Sequence, residues 1–546
     1  MNRWSEKKQK NRIKTQFGKN PMDMENWESL QLRMYEIEMY EQRRRKTFNQ
    51  EWVDDVTWND LEMDRVFARI NHTRTYMGEQ ILYHRLHGCK NRQKLQRMEK
   101  RIAFFSCQES SRIKVEEKLS HIGKQKENYY LPLFLMDEIN WPVTSCIGLY
   151  LQQVLLVICL AGTVLARSNV WGLGLLVVAT VNLLIYLHAK NKYEGNLFAV
   201  ANMKVALDFC NWMIKSFEGN QLYADEEILQ ALEKTRKLAK QMGRWQARKY
   251  QSVTGDLTGI VQDYLAGVTL YDIVAFCHIE KALRKCRKET LQLYEFVGDV
   301  DTDIAIASFR KSLTNWCSPM IQKSGSIRLE KICHPLMDDG VANSIELRKG
   351  AIFTGANASG KSTFMKAVAI NVILAQTIHT CVAKNVKMPT IKVMTSMALR
   401  DDVVQKESYY MREMKYLKRM LDEIEKGEPV LFVIDEILKG TNTRERLGAS
   451  KAILSYMAQK PGFLLVATHD LELVKAEENL YETYYFDSQI CGKDIIFPYK
   501  MKQGIAVRTN AIDLMEMMDF PKEITDKARI ASAHLLKANY AWADVQ

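Results

Sequence analysis

A chain of 546 residues is longer than one hydrophobic core usually serves, so two to four domains are expected. Hydrophobic residues make up 47% and charged residues 26%, with only 10 Pro and 26 Gly, which excludes a disordered or collagen-like chain and favours a mainly helical, folded one. The net charge of +12 suits nucleic acid, an anionic membrane surface or plain solubility equally, and the 11 Cys, scattered singly without a C-x-x-C pair or a Cys/His cluster at zinc spacing, read as reduced thiols.

Residues 1–50 are polar, opening on the basic run Lys7-Lys8-Gln9-Lys10-Asn11-Arg12 and closing on Arg43-Arg44-Arg45-Lys46. A solvated helix or fraying tail is the plainer reading; a nucleic-acid or lipid contact is the alternative. No cleavable signal is recognisable, so reduced thiols facing a cytosol are expected. Over 51–140, apolar residues recur at helical spacing, as in Leu61, Val66, Ile70, then Ile81, Leu82 and Leu86.

Residues 141–190 change character. Cys146 to Ala166 is almost wholly apolar, and Val170 to Leu187 follows after Arg167-Ser168-Asn169. Each run approaches the ~20 residues a helix needs to cross about 30 Å of hydrocarbon. Two readings stand: a two-helix transmembrane hairpin, or two buried core helices with Gln152, Gln153 and Asn182 hydrogen-bonded inside protein. The hairpin is preferred, because Trp141, Trp171, Tyr186, Lys190 and Lys192 supply interfacial flanks. The basic segments on both sides predict that both termini are cytoplasmic in a two-span protein of the cell membrane. Residues 191–330 are helical again and strongly charged, notably Lys234-Thr235-Arg236-Lys237 through Arg244, Arg248 and Lys249. Such runs are usually the wet faces of long helices; a DNA-facing arm is the minority reading on charge alone.

From 331 to 546 the pattern turns to strands and turns. Ala351-Ile352-Phe353-Thr354 is a short apolar strand feeding Gly355-Ala356-Asn357-Ala358-Ser359-Gly360-Lys361-Ser362-Thr363, which matches G-x-x-x-x-G-K-[ST] and leads into a helical run. Gly355 and Gly360 let the backbone aim its N–H groups at phosphate charge, Lys361 neutralises the β and γ phosphates, and Ser362 offers a hydroxyl to Mg²⁺. Val430 to Ile434 reads as a buried parallel strand ending in Asp435, a candidate Mg²⁺ ligand, and Glu436, the candidate to polarise the attacking water. A third strand, Phe463 to Thr468, ends in His469, a candidate γ-phosphate sensor.

These motifs, with Asp435-Glu436-Ile437-Leu438-Lys439-Gly440-Thr441-Asn442-Thr443 and Ala467-Thr468-His469, resemble in order and spacing the Walker A, Walker B and His switch of the MutS family. Glu407-Ser408-Tyr409-Tyr410-Met411-Arg412-Glu413-Met414 resembles that family's version of the ABC signature. The resemblance implies an α/β P-loop NTPase (ABC/MutS-like) C-terminal domain behind a mainly α-helical core, a homodimer, ATP and Mg²⁺ as cofactors, DNA as partner, and Ser408 acting on the γ-phosphate held by the partner subunit. Thr57-Trp58-Asn59-Asp60-Leu61 and Asn71-His72-Thr73-Arg74-Thr75-Tyr76-Met77-Gly78 are similar to the start of the family's helical core, and Phe520-Pro521 through Arg529 to its closing segment.

Departures accompany the resemblance. Phe-x-Glu, the family's mismatch-probing wedge, is absent, and too few residues precede Glu51 for mismatch-reading and connector domains. Gly340 stands where the family places an adenine-stacking aromatic. The expectation is therefore a membrane-anchored MutS-like ATPase that clamps DNA. An ABC-type ATPase acting on a membrane or protein partner without DNA is the alternative, and a scaffold using ATP as a structural clip is a third.

Overall fold

The computed structural model describes residues 3–48, 52–88, 92–136, 146–166, 168–217, 226–252, 264–356, 358–397, 409–491, 494–505, 512, 515–516 and 518–539. Its contacts divide the chain into Met1–Asn49, Asn71–His84 and Arg97–Ser308 on one side and Gln50–Ile70, Arg85–Gln96 and Phe309–Gln546 on the other.

The first unit is helical, as the apolar spacing predicts. Its core gathers Ile37, Tyr40, Tyr76, Leu82, Phe105, Leu119, Tyr129 and Tyr294, all buried. The core also holds ions, each with partners. Glu79 accepts from Arg33 at 2.9 Å, Asn71 at 2.8 Å and Lys124 at 2.8 Å, as well as from Tyr129. Burial alone would raise this carboxyl, but Lys124 and Arg33 outweigh it and hold it down to about 2. Asp301 accepts from the backbone N–H of Thr75 at 2.8 Å and its hydroxyl at 2.7 Å, receiving the start of helix Tyr76–His87. The Asn71–Gly78 stretch is thus a helix start anchored on a buried acid.

Helix α1 (Cys146–Ala166) and helix α2 (Asn169–Ser216) pack as an antiparallel pair, with Ser168 accepting from Val170 N to cap the second. The second apolar run is only the first part of α2, which continues unbroken to Ser216 for about 70 Å, since no Pro interrupts it. Both apolar stretches are long and apolar enough to cross a membrane, and little of either is buried. Helix Glu226–Ser252 buries Ala231, Thr235, Leu238 and Met242 on one stripe and leaves Glu233, Lys234, Arg236, Lys237 and Lys240 outside, and Lys234 pairs with Glu289 at 2.8 Å. Helix α3 (Tyr271–Lys285) packs against both α1 and that helix.

The second unit is α/β. Strands β1 (Gly350–Gly355), β2 (Lys392–Ser396), β3 (Val430–Asp435), β4 (Phe463–Ala467), β5 (Glu482–Phe486) and β6 (Met501–Gln503) form one sheet in the order β6-β5-β1-β4-β3-β2. All neighbours are parallel except β5 and β6. Runs such as Leu431-Phe432-Val433-Ile434 are apolar throughout because helices cover the sheet. Helix α4 (Lys361–Thr377) packs against β1, β2, β3 and β4 and is buried along nearly its whole length. Helix α5 (Tyr409–Ile424) sends Leu417, Met420 and Ile424 into the same core, and helix α6 (Thr443–Ala458) follows β3. A second, four-stranded sheet is ordered 320–322, 385–389, 327–332, 343–347.

Residues 55–70 join this unit for a chemical reason. The Asp60 carboxylate accepts from Thr395 Oγ1 at 2.7 Å and Met397 N at 2.9 Å, and Thr57 Oγ1 accepts from Thr395 N at 3.2 Å, which closes the exposed edge of β2. Trp58 stacks on His87 with ring centroids 3.6 Å apart and donates to Asp64 at 2.7 Å.

Candidate nucleotide site

Parallel strands carry their loops at their C-terminal ends, so β1, β3 and β4 deliver three chemistries to one edge of the sheet. The loop after β1 closes at Gly360, whose φ of 103° lies in the left-handed region. A Cβ there would stand 3.0 Å from the ring of Tyr499, so a side chain would be both strained and crowded. Lys361 opens α4 and folds back across the loop, its Nζ donating to Gly355 O at 2.8 Å and Ala356 O at 2.9 Å. Burial lowers its ammonium pKa, against the pull of Asp435 and Glu436. Ser359 Oγ is buried with no protein hydrogen-bond partner, a polar atom facing a site built for one.

Ser362 Oγ donates to Asp435 Oδ2 at 2.6 Å. This pair joins the start of α4 to the end of β3 and supplies two hard oxygens, the donor type that Mg²⁺ takes when phosphate oxygens complete its shell. Glu436, the next residue, has φ 62°, unusual for a residue other than Gly, and its N–H is fixed on Ala467 O at 2.9 Å. Its carboxylate lies 3.4 Å from His469 Nε2 and 3.3 Å from Lys439 Nζ. Burial and the nearby Lys361 ammonium lower the His469 pKa, so this imidazole is neutral near pH 7. Asp470 forms a two-bonded pair with Arg446 of α6, at 2.9 and 3.1 Å, which holds the end of β4.

Ala358, Ser359, Gly360, Lys361, Ser362, Thr363, Asp435, Glu436 and His469 all line one cavity of about 630 Å³. Gly355 and Ala356 bound it through the carbonyls that hold Lys361. Asn357 and Ser408 lie outside the described residues. Gly340 lines the same cavity beside His334 and Met337 and offers no ring to a base.

Three contributors were not singled out from sequence. Asn343 donates to Tyr499 O at 2.9 Å and accepts from Met501 N at 2.9 Å, holding Tyr499, at φ 54°, over the loop. Glu413 of α5 is buried and accepts from Lys439 N at 3.0 Å and Gly440 N at 3.5 Å, pinning the loop after Glu436. Burial pushes its carboxyl above the ordinary range. A signal for Glu413 exists: with Leu417, Met420 and Ile424 it falls on the buried stripe of one helix, where a carboxylate needs donors.

Residues 351–536 match the family described as MutS domain V. The chain is MutS-related through this domain. Relatives named DNA mismatch repair protein MutS are 27% identical over 263 residues in Aquifex pyrophilus, covering 45% of this chain and 30% of the relative. The relative from Natronomonas pharaonis is 30% identical over 243 residues, 42% of this chain and 28% of its own length. That from Lysinibacillus sphaericus is 25% identical over 284 residues, 50% and 33%. The chain therefore matches about a third of the length of these MutS relatives. MutS domain V is a P-loop ATPase fold, in accord with the strand–loop–helix geometry of β1 and α4.

Proposed function

We propose that this chain is a MutS-type ATPase in which ATP closes two copies of the domain and hydrolysis releases them. One observation carries the reading: the Ser362–Asp435 contact, the Lys361 ammonium and the Glu436–His469 pair open into one cavity. In this reading Gly355, Ala356, Asn357, Ala358, Ser359, Gly360 and Thr363 cradle the triphosphate with backbone N–H groups. Lys361 leaves the loop carbonyls for the β and γ phosphates. Ser362 and Asp435 would hold Mg²⁺, which would supply neutralising positive charge to the phosphates. Glu436 accepts a hydrogen bond from the attacking water and orients it in line with the bond that breaks. His469 donates from Nε2 to the γ-phosphate and exchanges that bond for Glu436 once phosphate leaves. Ser408 acts across the dimer.

DNA is the proposed partner, supported by the names of the relatives and by Arg236, Lys237 and Lys240 on the exposed face of helix Glu226–Ser252. The apolar α1–α2 pair anchors the chain in the cell membrane, supported by the exposure of Leu151, Val157 and Leu176, with both termini cytoplasmic, supported by the basic segments on either side of the pair. That exposure also favours a second reading, in which the same motor acts on a membrane or protein partner without DNA.

The test of the ATPase is Glu436→Gln. ATP binding should persist while phosphate release falls at least about 100-fold, the scale on which positioned catalytic groups act. Unchanged turnover would mean that Glu436 does not orient water. Stimulation of wild-type turnover by duplex or branched DNA, against stimulation by liposomes, separates the two partner readings.

A further inference from the structure

The α1–α2 pair is not the whole of the apolar surface of its unit. Residues 264–270 and the first turns of α3 lie against it. Leu149, Tyr186, Leu270 and Cys277 form a buried cluster, with Leu183, Ile273 and Val274 packed on it. A Cβ on Gly267 would stand 3.0 Å from the Tyr186 ring and 3.2 Å from Leu183, so the backbone itself crosses the pair at contact distance.

Two amides tie this crossing down. Gln153 Nε2 donates to Thr269 O and Asn182 Nδ2 to Val268 O, each at 2.8 Å, and Asn182 is fully buried. Both are among the polar residues that interrupt the apolar runs in the sequence. They take up carbonyls just where the chain turns into α3, at the non-helical residues Thr269 and Leu270. On its outer side the crossing is apolar and open, with Tyr264 61% and Leu265 58% exposed, comparable to Val157 of α1 at 63%. Asp272 is buried in the first turn of α3, where free N–H groups favour a carboxylate, rather than turned outward. Further along α3, His278 meets Tyr150 near the start of α1, and only then do Lys281, Arg284 and Lys285 bring charge.

Gln153 and Asn182 each stand about 10 Å along the helix from the ends of their apolar stretches at Ile147 and Ala189. Those ends lie on the same side of the hairpin. Irregular backbone is tolerated at such a depth only where protein satisfies its polar groups, as these amides do. We propose that residues 264–276 form a re-entrant segment, entering the bilayer beside α1 and α2 to about a third of the ~30 Å hydrocarbon and returning to the same face, held there by Gln153 and Asn182. This rests on the membrane reading above.

The experiment uses the full chain in phosphatidylcholine vesicles carrying a phosphatidylcholine with a mid-chain diazirine, with peptide mapping by mass spectrometry after irradiation. Carbene adducts are expected both within 147–187 and within 264–271. Adducts in 147–187 with none in 264–271 overturn the re-entrant segment and leave the hairpin standing. Adducts in neither overturn both. In a Gln153→Leu, Asn182→Leu protein, labelling of 264–271 should fall several-fold while that of 147–187 holds; unchanged labelling of 264–271 would overturn the amide tie.

Discussion

Replacing Glu413 by Ala tests whether a buried carboxylate remote from the phosphates sets the geometry of the water-orienting residue. Glu413 is the acceptor for Lys439 N at 3.0 Å, with Gly440 N at the limit of bonding distance. A hydrogen bond to a charged acceptor contributes about 1.5–3 kcal/mol, and its loss leaves a buried donor unmet. The loop it pins is strained, with Glu436 at φ 62° and Leu438 at φ 59°, each costing about 1–3 kcal/mol and persisting only while its surroundings impose it. Without Glu413 the loop relaxes, and the Glu436 carboxylate leaves its place 3.4 Å from His469.

At about 1.4 kcal/mol per tenfold, the lost bond alone converts to a fall in kcat of roughly 10- to 100-fold. Nucleotide affinity should change less than about threefold, because Lys361 and the Gly360 loop are held by their own contacts. Glu413→Gln retains one acceptor oxygen and should retain most of the rate. Steady-state phosphate release with equilibrium nucleotide binding measures both quantities, and a thermal melt checks folding. A folded Ala protein with kcat within about twofold of wild type would refute the assignment.

Gly360→Ala should abolish nucleotide binding while leaving the sheet intact, since the residue is needed at φ 103° and a methyl would press on Tyr499; isothermal titration with ATP reads the outcome. His72 predicts acid lability of the helical unit. Burial, then Arg74, lowers its pKa to about 4, so the unfolded chain takes up a proton that the folded chain refuses. Its contribution is complete above pH 6.5 and is lost as pH falls through 6.5 toward 4, to a limit of about 3 kcal/mol. Urea melts against pH should show this slope, and His72→Gln should flatten it.

Much of the site was legible because its parts are local. A strand, a phosphate loop and a helix follow one another from Gly350 to Thr377, and Asp435 and His469 each follow an apolar run typical of a covered parallel strand. What escaped depends on partners far away in the chain. Asn343 meets Tyr499 and Met501 across more than 150 residues, and Asp60 meets Thr395 across 335. Neither leaves a periodic trace, because one polar residue in a turn or a short helix reads as solvent-facing until its partner is known. Residues 264–270 escaped for a related reason: their apolar pattern fits any packed helix, and only the amides of Gln153 and Asn182 say what they pack on. The basic helix was legible in the plainer sense over its described side chains, with Lys234, Arg236, Lys237 and Lys240 outward and an apolar stripe at Ala231, Thr235, Leu238 and Met242, while the side chains of Arg244, Arg248 and Lys249 lie outside the described residues.

That helix also bounds what DNA binding can look like. Lys234 is engaged by Glu289, whose carboxyl it holds below the ordinary range, so the charge is already half spent within the protein. Arg236, Lys237 and Lys240 remain exposed, without an ion-pair partner among the described residues. Each phosphate neutralised changes log K by about −0.9 per log unit of salt, so these three give a slope near −3, and near −5 if two copies bind one duplex. Changing all three to Glu should remove that share of the slope and weaken binding at every sequence alike, since phosphate contacts carry no base information. Filter binding from about 50 to 200 mM salt is sufficient to measure it. A slope that survives the triple substitution would put the DNA on another surface, and no binding at the low-salt end would leave the membrane or protein partner as the reading.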